Sequence, residues 1–97
     1  MVIKWNKAAI QQLFEVILFL EETGFYTSAE HIESDILSKI RNLPLDPLIY
    51  PPDKYRKNND GSYRAFEVDH YRVTYRKTKD TIRIVRIKHT SRRIRKY

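Results

Sequence analysis

"YRAFEVDHYRVTYRKTKDTIRIVRIKH", residues 63–89, carries the clearest periodic pattern in the chain. Hydrophobic and charged side chains alternate along it with the period of two that a strand imposes. Tyr71, Val73 and Tyr75 face one way, while Arg72, Thr74 and Arg76 face the other. Only Asp69-His70 separates Tyr63–Val68 from Tyr71–Lys77, which is hairpin spacing. A Lys79-Asp80 turn leads into a third strand, Thr81–His89, whose alternation slips at Ile84-Val85. Such a slip marks a bulge or a strand covered on both faces.

Upstream the period changes. "VIKW" (2–5) is a short β-prone run, and Asn6 is placed to cap a helix starting at Lys7. Ile10, Leu13, Phe14, Ile17 and Leu20 then fall at helical spacing, which predicts a helix over 7–22 with Gly24 as its left-handed C′ residue. Val16 and Phe19 lie off that stripe, so more than one face of the helix is apolar. Thr27-Ser28-Ala29-Glu30 reads as a capping box opening a second helix over 28–43. Its inward residues are Ala29, Ile32, Ile36, Ile40 and Leu43, and Pro44 stops it. His31, in the first turn, reads as a surface residue.

Residues 44–62 hold four prolines and an Asn-Asn-Asp-Gly turn signal. The segment is long for a connection inside a compact domain, and its Lys54-Tyr55-Arg56-Lys57 cluster makes it a candidate binding loop. The alternative is a surface loop pinned by Leu48, Ile49 and Tyr50. The order β-α-α-β-β-β predicts one α+β domain over 1–97, with two helices packed on one face of a mostly antiparallel sheet. Alternation then leaves the opposite face to the arginines, as an open basic surface.

Composition narrows the function. The chain has no cysteine, which excludes disulfides and thiolate zinc sites and fits a cytoplasmic protein. "VILFL" (16–20), the longest apolar run, is too short to cross a bilayer and lacks the flanks of a signal peptide. Charge is unevenly placed. Residues 1–62 carry seven Lys/Arg against nine Asp/Glu, and residues 63–97 carry twelve against three. A basic half on a near-neutral half favours a polyanionic or acidic partner.

No Gly-rich phosphate loop, zinc-protease motif or activated serine is present, and the three histidines lack metal-ligand spacing. No cofactor or metal is implied. Glu67 and Asp69 sit among arginines and read as charge partners. What remains is arginine, tyrosine and one histidine. Arg64, Arg72, Arg76, Arg86, Arg92, Arg93 and Arg95 can hold phosphates through paired hydrogen bonds. Lys54 and Lys57 add charge, and Tyr55, Tyr63 and Tyr97 offer rings for unpaired bases.

The element order, "YRVTY" at 71–75, "IRIVRIKH" at 82–89 and the cationic end together resemble the RelE/ParE superfamily of bacterial toxins. That resemblance implies a type II toxin–antitoxin system, with an acidic antitoxin wrapped around the toxin. It also implies one of two activities. The ribonuclease branch cuts mRNA on the ribosome with a strand arginine, a later arginine and a C-terminal tyrosine. Arg72, Arg92 and Tyr97 match that set in order, with Arg64 in support and His89 as a possible proton donor. On this reading arginines around Tyr97 favour its phenolate, the base that takes the 2′-hydroxyl proton. Phe66 departs from the branch, which often has a lysine there. "HTSRR" (89–93) instead looks like the second branch, whose members inhibit DNA gyrase without chemistry of their own. The available base tilts the sequence reading toward the ribonuclease.

Overall fold

The computed structural model describes residues 1–97. Strand β1 (Val2–Trp5) leads through Asn6 into helix α1 (Lys7–Glu22), and α2 (Tyr26–Asn42) runs back beside it. A single 3₁₀ turn, Leu43–Leu45, ends α2 at Pro44. The strands β2 (Tyr63–Val68), β3 (Tyr71–Lys77) and β4 (Thr81–His89) come after it. The sheet order is β1-β4-β3-β2, antiparallel except for the parallel β1–β4 pair. Both helices lie on one face, as the sequence predicts.

The bulge also falls where the alternation slips. Thr74 pairs with Arg86, but Tyr75 pairs with Ile84, so Val85 is the extra residue. That one insertion lets Ile82, Ile84 and Ile87 all enter the core. They meet Val73, Tyr75, Ile32, Ile36, Ile40 and Leu43, every one of them buried. Gly24 has φ +84, and its N–H donates to the Glu21 carbonyl while the Phe25 N–H donates to Leu20 at 2.7 Å. This is the Schellman closure of α1.

Three local expectations are corrected. The Schellman turn launches α2 at Tyr26, with Phe25 as N-cap, so Thr27 already lies inside the first turn and the capping box does not form. Asn6 is the N-cap by position, but its side chain makes no cap bond and accepts from Arg83 at 3.2 Å instead. Helix α1 is also rotated relative to the expected stripe. Ala9, fully buried, lets the backbone approach the sheet, and Gln12 Oε1 accepts the Ile87 N–H of β4 at 2.7 Å. That rotation turns Val16 toward the core and leaves Phe14 68% exposed and Ile10 41% exposed.

The open basic face is corrected in part: it is covered over Arg72 and Thr74 but stays open at Lys4 and Arg83. Arg72 and Thr74 point away from the helices, yet both are buried, because residues 50–57 and the C-terminal tail fold across them.

Candidate functional site on the second face of the sheet

Asp53 organises this covering. The Asp53 N–H donates to the Tyr63 carbonyl at 2.8 Å, and the Ala65 N–H donates to Pro51 at 3.2 Å, so the loop runs beside β2. The Asp53 side chain is thereby placed over β3 and is 2% exposed. Its Oδ1 accepts from Arg72 Nη2 at 2.9 Å and from the Tyr55 N–H at 3.1 Å. Its Oδ2 accepts from the Tyr97 hydroxyl at 2.7 Å and from Thr74 Oγ1 at 3.2 Å. Arg72 spends its other terminal nitrogen on Glu67, at 3.0 Å, and its guanidinium lies 5.1 Å from the Tyr55 ring.

Burial by itself pushes the Asp53 carboxyl up. The hydrogen bonds from Tyr97, Arg72 and the Tyr55 N–H outweigh it and hold the acid below the usual carboxylate range. Tyr97 moves the other way. Burial, and then its hydrogen bond to the Asp53 carboxylate, raise the phenol well above its ordinary value. Arg86, stacked 3.8 Å from the ring, opposes this without reversing it. The expected phenolate is therefore disfavoured, because ionisation would lose the hydroxyl's hydrogen bond to Asp53 and set two anions side by side.

The tail is tied down through its backbone as well. The Tyr97 N–H donates to Tyr55 at 2.9 Å, and the Lys57 N–H donates to the Tyr97 oxygen at 2.6 Å. Arg56 and Tyr63 complete the ring's surroundings, at 5.1 and 6.1 Å.

Of the residues singled out in the sequence, Arg72 and Tyr97 meet through Asp53, and Arg86 joins them at the Tyr97 ring. Arg76 lies nearby against Tyr63, 4.9 Å away, and Lys54 over Tyr55, 5.3 Å away. Arg64 points to the helix-side face, beside its partner Tyr75, and donates to the Tyr50 and Gly61 carbonyls. Arg92, Arg93 and His89 are elsewhere. They line a groove between the end of β4, the tail and α1, with Val16 and Phe19 opposite. There His89 Nδ1 accepts the Ser91 N–H at 3.1 Å, and its ring packs edge-on against Tyr71. No hydrogen bond joins Arg92 or His89 to Arg72 or Tyr97. Nothing in the sequence singles out Asp53, whose only local signal is an Asx-turn bond to Tyr55, or Arg83.

The family model described as "ParE toxin of type II toxin-antitoxin system, parDE" matches residues 3–94. The chain belongs to the ParE toxin family. It is the toxin of a ParDE system, and such a system implies an antitoxin as its partner. A chain of the solved "Chromosomal ParDE TA system from P. aeruginosa" has the same fold, with a TM-score of 0.70. The two are 18% identical, and the similarity covers 92% of this toxin and 95% of that chain. No curated protein matches by sequence. No helix of the toxin is long and apolar enough to cross a membrane.

Proposed function

We propose that this toxin acts by binding DNA gyrase, and that its arginines and tyrosines serve contact and scaffolding rather than RNA cleavage. The observation that carries this reading is the Asp53 hub. A ribonuclease of the kind the resemblance implies needs a base that gives up its proton near neutral pH and cations free to receive the phosphate. Here the Tyr97 hydroxyl is a hydrogen-bond donor to a buried carboxylate, and Arg72 is paired with two acids. Membership of the ParE family points the same way.

The groove holding Arg92, Arg93, Val16 and Phe19 is the proposed seat of an acidic, amphipathic antitoxin segment. Such a segment buries the half-exposed apolar residues and neutralises the tail. The test pairs gyrase supercoiling with primer extension on mRNA from translating ribosomes, using one protein preparation. Dose-dependent loss of supercoiling without mRNA cuts is the expected result. Discrete ribosome-dependent cuts, abolished by Arg72→Ala, would restore the ribonuclease reading.

A further inference from the structure

Beyond the Asp53 hub, the same face carries a line of cations that form no ion pair. Lys4 on β1 pairs in register with Arg83 on β4, and Arg83 pairs with Arg76 on β3. Residues directly opposite on neighbouring strands share a face, so three like charges cross the sheet in one transverse row. Strand spacing makes that row about 10 Å long. Tyr63, the register partner of Arg76 on β2, ends it. Like charges directly opposite one another destabilise a sheet. A row of three, kept without acids between them, is unfavourable for the isolated fold.

The guanidiniums are also held with donors to spare. Tyr63 lies between Arg56, 4.1 Å from its ring, and Arg76, 4.9 Å away. Arg76 spends only its Nε, on Ser62 at 3.2 Å, and Arg83 only Nη1, on Asn6. Arg86, fixed on the Tyr97 ring, gives one nitrogen to the Arg95 carbonyl. The only ion pairs in the molecule are those of Arg72. Asp60 feels the charge of Arg76, but its carboxylate accepts the Ser62 N–H and forms no ion pair. Arg56, Tyr63, Arg76 and Arg83 line one groove with Tyr97.

We infer that this row, Lys4–Arg83–Arg76 with Arg56 and Arg86 beside it, binds the phosphodiester backbone of duplex DNA. Preoriented guanidiniums with unspent donors match phosphate oxygens, and contacts to phosphate hold a duplex whatever its sequence. The site rests on its own geometry. The choice of DNA over RNA rests on the gyrase reading, which places the toxin on an enzyme that holds duplex DNA.

The test is fluorescence anisotropy of a labelled DNA duplex of mixed sequence, titrated with toxin across a range of salt. The Arg76→Gln/Arg83→Gln variant is compared with Arg92→Gln/Arg93→Gln, which removes the same charge from the tail. Each lost phosphate contact lowers the salt slope by about 0.9. The row variant is therefore expected to lose nearly two units of slope, roughly 30-fold in affinity at 0.15 M salt. The tail variant should lose much less, and the row variant should melt no lower than wild type, because like charges have been removed. Equal losses in both variants would mean diffuse attraction and overturn the site. Preference for poly-glutamate over the duplex, or for single-stranded RNA, would overturn the ligand. Supercoiling assays on the same proteins separate the two ideas. A slope change without gyrase inhibition rejects the gyrase reading alone, and inhibition with an unchanged slope rejects the row alone.

Discussion

Replacing Asp53 with asparagine keeps the shape of the hub and removes its charge. Four donors converge on that carboxylate, from Arg72, Thr74, Tyr97 and the Tyr55 N–H. An amide can accept at one end only, so its NH₂ would meet donors already pointed at it. Removing one member of a buried ion pair costs about 3–5 kcal/mol, since the survivor remains charged and dry. Arg72 retains Glu67 at 3.0 Å, but that carboxylate is half exposed and compensates incompletely. The expected loss is therefore near the lower limit, about 3 kcal/mol. For a domain of this size that corresponds to a fall in Tm of about 12–24 °C.

Urea and thermal unfolding followed by circular dichroism measure the loss directly. Tyr97→Phe, alone and combined with Asp53→Asn, completes a cycle whose coupling should be about 1–3 kcal/mol if the hydroxyl–carboxylate bond holds the tail. Asp53→Asn within 1 kcal/mol of wild type, or a coupling near zero, would refute the hub as the element that closes the second face.

Acid, backbone, core and groove each supply a further test. Asp53 is depressed below its unfolded-chain value of about 3.9, so its contribution is complete above that pH and is lost as pH falls through the lower folded value. Stability measured between pH 5 and pH 2 should therefore decline (range set by about 3.9 and below), and Asp53→Asn should flatten that decline. Gly24→Ala places a Cβ where no atom lies within 4 Å, so only the backbone at φ +84 resists it, at about 1 kcal/mol by chemical denaturation. Gln12→Ala strips the acceptor from the Ile87 N–H and should cost about 1–2 kcal/mol in the same assay. Phe19→Ser, at a residue 57% exposed, should leave stability unchanged but weaken antitoxin binding about tenfold or more by calorimetry, if the groove is its seat.

The three C-terminal strands were legible because their alternation is local. Alternation places Tyr71, Val73 and Tyr75 toward the helices whatever the rest of the chain does, and the slip at Ile84-Val85 announces the bulge. The α2 stripe and the Gly24 stop were legible for the same reason. The rotation of α1 was not, because its apolar arc is wider than the face the sheet can cover. Ala9 and Gln12 choose among the possible faces, and Gln12's partner lies on a strand more than seventy residues away.

The functional site divides along the same line. Residue types and their order bring Arg72, Arg92 and Tyr97 to notice, and they place the chain in its superfamily. Whether Tyr97 is a base or a latch depends on Asp53, which lies 44 residues earlier in a proline-rich loop with no periodic signal. Alternation along β3 states only which side of the sheet Arg72 leaves by. The loop and the tail decide what it meets there, which is an ion pair with a buried carboxylate. Local pattern determines direction along a strand. Contact between distant segments determines the dielectric and the charge around each group, and those set its chemistry.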